Sequence, residues 1–584
     1  MTPAITTNPL TSATEPRGSS PLPPFGTFVG EPKGLASQAG FFLFVLVNAA
    51  VFIRPTELIP PLQNWPIYSA LLLLALAVSL GPVARQLSWR SLVENPITAC
   101  VIGFLAAAVL SHLGHLRLRQ AVGTGIEVSR LLIFYLLLVA LVNTTGRLRT
   151  FLCCLAAFAC VQIVLALLQS YHVVDLAALR PVEEQHDALA HGEVITRYRL
   201  CGAGIFHDPN DLGVLAVTAI AMCLYLLSEG VSRRGGSRWI QGLICLAALG
   251  LCGRALMLTQ SRGAFIALLA GMGMFSVARI GWKKSVLVAI FVLPLLHFAF
   301  TGRQANINVH RTTAQLRLGL WSKCLTLFFH SPLLGIGQGR LAAVIGQVAH
   351  NTFLHGFTET GFFGGTFFLG AFVLALWAIF ARTPDAPELF RLRACVLAMI
   401  AAWVAGMLTL SRPYVVPTYV ILGLATAYLN LAARDPGRPR LRLTVPLALG
   451  MAGMSVVYLC GIYVFVHRFH GAWEMTFGRT AAPRERCSAV GETEGSGYLC
   501  NPIDDPSEHA KYISPSNRGD VRIVRIDDVH APDPAANLLL KLDVEGAELA
   551  ALKGAPERGA FEQLGHARNF NVVAVSRDSQ VGGA

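Results

Sequence analysis

Thirteen apolar runs recur along this chain of 584 residues, most of them roughly 17 to 23 residues long, enough to cross a hydrocarbon core of about 30 Å. They fall near residues 35–53, 66–84, 96–113, 127–143, 148–170, 212–228, 239–258, 264–280, 284–301, 361–381, 389–410, 413–433 and 443–466. A chain in lipid must satisfy its backbone polar groups internally, which for such runs means helices. The expected fold is therefore an all-α polytopic membrane protein of about 12–13 transmembrane helices, with a long outer loop at about 302–360 and a small α/β soluble segment at the C-terminus.

Charge supports that class. The formal net charge is +13, yet only 14% of residues are charged, and lysines and arginines gather in short turns between apolar runs. That is the distribution of positive-inside loops and not of a nucleic-acid surface. Arg85, Arg90, Arg147, Arg149, Arg233, Arg234, Arg238, Arg279, Lys283, Lys284, Arg382, Arg391, Arg393, Arg434, Arg438, Arg440 and Arg442 mark one side, which reads as cytoplasmic. Most of the 13 cysteines lie inside apolar runs without ligand spacing and read as small hydrophobes, so neither a disulfide framework nor a zinc site is implied.

Residues 1–34, rich in Pro, Ser, Thr and Gly, read as a disordered tail. The membrane domain spans 35–466, and 467–584 is soluble in character. By this count the connections after runs five, seven and nine all face outward, and each carries a polar motif.

The first, RLCGAGIFHDPNDLG at Arg199–Gly213, ends in Asp208-Pro-Asn-Asp211, a helix-start signal with a cap and a proline in the first turn. Either it is simply a capped helix start, or Arg199, His207 and the free backbone N–H groups shape an anionic pocket. The second, TQSRG at Thr259–Gly263, places Arg262 in a tight turn at the membrane, where its planar fork suits a lipid phosphate. Arg254 nearby either snorkels or pairs.

The third motif is the long loop. Leu316, Leu320, Cys324 and Leu327 recur at helical spacing beside Arg317, Trp321 and Lys323, as in a helix lying at headgroup depth. Pro332, Gly335, Gly337 and Gly339 then break it; no strand precedes these glycines, so they are not a dinucleotide loop. His350 stands between that turn and a membrane-entering helix, on which Asn351, His355 and Glu359 share one polar stripe. His350 and His355 are five apart and lack the HExxH carboxylate, so a metal site is disfavoured.

The order of the SRG turn, Arg317-x-x-x-Trp321, PLLGIGQG at Pro332–Gly339, and HNTFL at His350–Leu354 with Glu359-x-Gly361 after it resembles the O-antigen ligase and polymerase superfamily over roughly residues 35–435. The resemblance implies transfer of a glycan from an undecaprenyl-diphosphate carrier to an acceptor (lipid A core, protein or a growing glycan), at the outer, periplasmic face of a bacterial inner membrane. It also implies no metal or other cofactor, His350 as the base that deprotonates the acceptor hydroxyl, and Arg262 and Arg317 as the diphosphate ligands. Arg199, His207, Asn351, His355 and Glu359 remain as candidate substrate contacts. Ligase and polymerase differ in acceptor and are not separated by these motifs. A lipid-linked sugar transporter would need charged residues along a mid-membrane path, and apart from Arg254 few are seen.

In the tail, KLDVEGAE at Lys541–Glu548 resembles FkbM-type methyltransferases, which use S-adenosylmethionine, over about 485–560. No strand with a glycine-rich cofactor loop precedes it, and an odd span count puts the tail outside. A remnant without methyltransferase activity is the expectation.

Overall fold

Each apolar run forms a helix, as the absence of water in lipid demands. The computed structural model describes residues 34–63, 65–187, 194–231, 237–299, 312–434 and 441–477, with short strands beyond. In chain order the helices are α1 (Leu35–Ile53), α2 (Pro55–Leu58), α3 (Ile67–Val78), α4 (Leu80–Gln86), α5 (Trp89–Glu94), α6 (Pro96–Leu113), α7 (Leu118–Leu141) and α8 (Thr145–Ser170). After an antiparallel hairpin of β1 (Val182–Asp187) and β2 (Val194–Arg199) come α9 (Pro209–Val231), α10 (Ser237–Thr259), α11 (Arg262–Ile280) and α12 (Trp282–Ala299). The remainder is α13 (Thr312–His330), α14 (Arg340–Ile345), α15 (Thr352–Phe380), α16 (Pro387–Met407), α17 (Val416–Ala432) and α18 (Val445–Phe477).

Among the described residues ten helices are long and apolar enough to cross a membrane, and the pair α3 and α4, bent by 84°, would make eleven. The protein is a multi-pass membrane protein. The other two expected runs are α12, which has Pro294 inside it, and α17, which has 17 residues. The bend follows the local sequence. The chain leaves α3 at Ser79, and Pro82 sits in the first turn of α4, where a missing N–H costs no hydrogen bond. One apolar core joins α6, α7, α8, α9, α11, α15, α16 and α17, whereas α10, α12 and α18 expose Leu243, Phe291 and Val457 as a lipid-facing rim.

The segment expected as an outer loop is mostly helical. On α13, Leu320 and Cys324 face inward as the spacing implies, but Leu316 is 65% exposed, and Leu318, Leu325 and Phe328 complete the buried face. That face packs on α15 and α18. Helix α15 begins at Thr352, so the HNTFL motif opens it.

Helix α15 is broken at Gly361 (φ 67°, ψ −170°), and the glycine-rich turn repairs the break. Phe362 and Phe363 donate to the Pro332 and Leu333 carbonyls instead of to their own helix, while the freed Thr358 and Glu359 carbonyls accept from Ile336 and Gly337. Four backbone groups that the break would orphan in an apolar interior are thereby satisfied. The exchange needs close approach. A Cβ on Gly361 would meet the Leu333 carbonyl, and a Cβ on Gly335 (φ 69°) would meet that of Glu359. The expected glycine break is confirmed, and its partner is the kink in α15.

Beyond Phe477 the described residues are short strands: Ser488–Val490, Gly495–Cys500, Tyr512–Pro515 and Val521–Val524 in one sheet, and Leu538–Leu540 paired with Val573–Val575. The Lys541–Glu548 motif lies outside the described residues, as do the expected disordered tail through residue 33 and Arg311.

Gly335→Ala and Gly361→Ala should each destabilise the protein by about 2–4 kcal/mol, the sum of a left-handed backbone penalty and a backbone clash. A thermal midpoint equal to wild type in either variant would show that the turn does not dock on the kink.

Candidate active site

The starts of α9, α11 and α15 meet at one end of the bundle, joined by polar side chains rather than by apolar packing alone. The chain enters α15 through a residue in a rare conformation. His350 has φ 50°, left-handed for a non-glycine residue, and such strain persists only where surroundings impose it. Three contacts do so. Trp321 Nε1 of α13 donates to the Ala349 carbonyl at 2.8 Å, the His350 N–H donates to Ser411 Oγ at 2.9 Å, and Asn351 caps α15 by accepting from the Leu354 N–H at 3.2 Å. Asn351 Oδ1 also accepts from the Tyr458 hydroxyl of α18 at 2.8 Å.

The network continues into the turn before α17. Thr352 Oγ1 donates to the Leu410 carbonyl and accepts from the Arg412 N–H. Arg412 grips Asp211 of α9 through Nε, at 3.1 and 3.0 Å to the two carboxylate oxygens, and through Nη2, and its nearest approach to Asp208 is 3.7 Å. Burial works against the Arg412 charge, but the two aspartates outweigh it and raise its pKa.

The DPND motif does act as a helix start: Asp208 Oδ1 accepts from both the N–H and the side-chain amide of Asn210 at 2.8 Å. Asn210 Oδ1 in turn receives Ser261 Oγ at 2.6 Å and Arg199 Nη2 at 3.3 Å. Ser261 caps α11 by accepting from the Ala264 N–H, so Arg262 emerges in the first turn beside the start of α9. Arg199 is buried, and its Nε donates to the Thr259 carbonyl at 2.9 Å. Its guanidinium thus fastens β2 to the α10–α11 turn. His207 is exposed, with its Nδ1 3.7 Å from Cys201 Sγ. Burial pushes the Cys201 thiol up to about 11, so it stays protonated.

His350 is half-buried, and its imidazole pKa is lowered, first by desolvation and then by the charges of Arg317 and Arg412, with Asp208 opposing. Arg317, Arg412 and Asp208 are therefore its electrostatic neighbours, and a neutral ring able to accept a proton results.

His355 and Glu359, one and two turns further along α15, form a separate buried pair. His355 Nε2 lies 3.1 Å from Glu359 Oε1, which also accepts from the Leu341 N–H at 3.1 Å. The Glu359 charge, after burial itself, raises the pKa of the neighbouring Tyr414 phenol. The polar stripe of Asn351, His355 and Glu359 is thus real, but its members do different things. Arg254 is exposed and donates to the Tyr171 hydroxyl at 2.9 Å. Among the described residues no group of three or more His, Cys, Asp or Glu is arranged to hold a metal ion.

Residues 246–369 match the O-antigen ligase family model. The matched stretch runs from within α10 into α15 and contains Arg262, Arg317, the glycine-rich turn and His350. It supports the O-antigen ligase superfamily, whose members are membrane glycosyltransferase-like enzymes acting on lipid-linked glycans and acceptors in the membrane. No curated protein matches the chain.

Arg412 and Asp211 were not read from the sequence as a site pair. A signal existed, because Arg412 is the one charged residue in the short connection between two apolar runs. Asp211→Asn should cost about 3 kcal/mol, because it strands a largely buried guanidinium. Adding Arg412→Gln should recover part of that loss in the thermal midpoint, and strictly additive losses would mean the two side chains do not interact.

Proposed function

We propose that this protein is a metal-independent membrane glycosyltransferase that moves a glycan from an undecaprenyl-diphosphate carrier to an acceptor hydroxyl in cell-surface polysaccharide biosynthesis, including lipopolysaccharide. The observation that carries this reading is His350, fixed in a left-handed conformation at the mouth of α15 and kept neutral by burial and by Arg317 and Arg412. It lies within the stretch that matches the O-antigen ligase family.

In this reading the imidazole takes the acceptor hydroxyl proton as the oxygen attacks the anomeric carbon. The new glycosidic bond forms while the bond from that carbon to the diphosphate oxygen breaks, and its electron pair leaves with the carrier diphosphate. Arg262 and Arg317 stabilise the departing charge, and the proton on His350 is then released to water or to the diphosphate. The Arg412–Asp211 pair fixes the turn that holds His350 and is a positioning element.

The site lies at the bundle end opposite the turns carrying Arg85, Arg147, Arg149, Arg279 and Arg391. The positive-inside pattern of those turns supports an outer, periplasmic site on a bacterial inner membrane. The tail is proposed to take no part in methyl transfer.

The test is glycan transfer in proteoliposomes supplied with undecaprenyl-diphosphate glycan and candidate acceptors. His350→Asn, which tolerates the left-handed backbone but is no base, should lower transfer about a hundredfold or more while leaving the thermal midpoint near wild type. Full activity in that variant would remove the base assignment. Lengthening of the carrier-linked glycan would identify a polymerase, and a single transfer to another acceptor a ligase.

The pH profile gives a second test. Since His350 accepts a proton only when neutral and its pKa is lowered, the acid limb of kcat/KM should lie below the ordinary imidazole range. Arg317→Gln removes one of the charges that lower it, so the limb should move to higher pH. A limb that stays put would place Arg317 out of reach of the base.

A further inference from the structure

Beside this site lies a cavity of about 220 Å³ between the end of α1, α2, the start of α3, Ile205 and the turn before α17. Its walls are largely apolar, with Val51, Ile67, Ile205 and Val416 among them, and Arg54, Thr56, Tyr68 and Tyr414 supply the polar lining. An apolar cavity with a few convergent polar groups is the usual form of a ligand site.

Three of those polar groups keep a buried atom without a hydrogen-bond partner, the Tyr414 hydroxyl among them. Arg54 Nε and the Tyr68 hydroxyl are both buried and hydrogen-bonded to nothing, which in a folded protein calls for a ligand or water. The Arg54 guanidinium meets Glu57 through Nη1 at 3.1 Å, so only part of its donor set is used. Space for it is kept by Gly204 (φ 59°), where a Cβ would stand 2.5 Å from Arg54 Nε.

A second cation, outside the cavity lining, acts electrostatically on the same phenol. The guanidiniums of Arg130, on α7, and Arg54 both act electrostatically on the Tyr68 hydroxyl, and α3 packs against α7. Arg130 is exposed within a membrane-spanning helix, and no carboxylate pairs with it among the described residues. An arginine there either snorkels to the interface or is met by an anion from the membrane. Two guanidiniums and one carboxylate leave the group with net positive charge.

We infer that this cavity binds a lipid-borne phosphate, with Arg54, Tyr68 and Arg130 donating to its oxygens and the apolar wall receiving the first carbons of its chain. Two membrane lipids carry that chemistry, a polyprenyl diphosphate and an anionic phospholipid. The first would make the cavity an approach site for the proposed donor, and the second a site independent of transfer. Binding is read without turnover, so the inference stands or falls apart from the glycosyl-transfer reading.

Full-length protein in phosphatidylcholine nanodiscs is titrated with a polyprenyl diphosphate in one arm and with phosphatidylglycerol in the other, and bound lipid is counted by native mass spectrometry. Tyr68→Phe, which removes one oxygen, and Arg54→Gln should each weaken binding at least tenfold in one arm, and that arm names the source. Gly204→Ala should act in the same direction by displacing the guanidinium. If Arg54→Gln fails to fold, Tyr68→Phe alone decides. Affinity unchanged by Tyr68→Phe in both arms, or no preference of wild type for either lipid over phosphatidylcholine, overturns the inference.

Discussion

The entry of the chain into α15 is the constraint on which the rest of this structure depends. A helix that starts inside a membrane bundle exposes N–H groups that water cannot reach, and each must find a partner in the protein. Asn351 supplies one, and the residue before it has to turn the chain sharply enough to let it do so. His350 takes up that turn at a positive φ. The cost, about 1–2 kcal/mol for a non-glycine residue, is borne because Trp321, Ser411 and Tyr458 leave the segment no other path. Side chains from α13, from the turn before α17 and from α18 therefore fix the backbone that carries the His350 imidazole.

The same helix is interrupted once more, at Gly361, and the two irregularities divide the labour. The first positions the reactive end. The second lets the glycine-rich turn lie directly on the helix backbone, so that α13 and α14 are tied to α15 by main-chain hydrogen bonds. Between the two breaks the buried His355–Glu359 pair fills the polar stripe and receives the Leu341 N–H at the start of α14. A reaction needing its base within a fraction of an ångström gains from a frame held by backbone exchange, which side-chain motion does not loosen.

The fold was legible because its signal is local. Length and continuous hydrophobicity name a membrane helix without knowledge of its neighbours, so all thirteen runs are helical, although α7 and α15 begin well before their runs at Leu118 and Thr352 and α18 continues to Phe477. The α3–α4 bend was less visible, since apolar composition continues through Ser79. Of the candidate site, only local placement was legible, such as that of His350 between a glycine turn and a helix. Partnerships remote in sequence were not. Nothing local in PLLGIGQG says that its amides satisfy carbonyls of Thr358 and Glu359, and nothing in DPND says that Asp211 faces Arg412. The stripe on α13 went partly wrong for a related reason. Leu316 obeys the helical period with Leu320 and Cys324, but the phase of the buried face is set by α15 and α18, which the local pattern cannot contain.

In the proposed reaction, the electrostatic balance at this end of the bundle links binding to proton transfer. Burial first, and then Arg317 and Arg412, lower the affinity of His350 for a proton, and Asp208 only partly offsets them. The ring is therefore a weaker base than a free imidazole. A diphosphate arriving beside the arginines would screen their charge at the imidazole, so the ring would become a stronger base as the donor binds. Asp211 cannot serve in that way, because its carboxylate is committed to Arg412 in a buried fork. In the proposed reaction Asp211 therefore stays committed to Arg412, and His350 alone exchanges the proton.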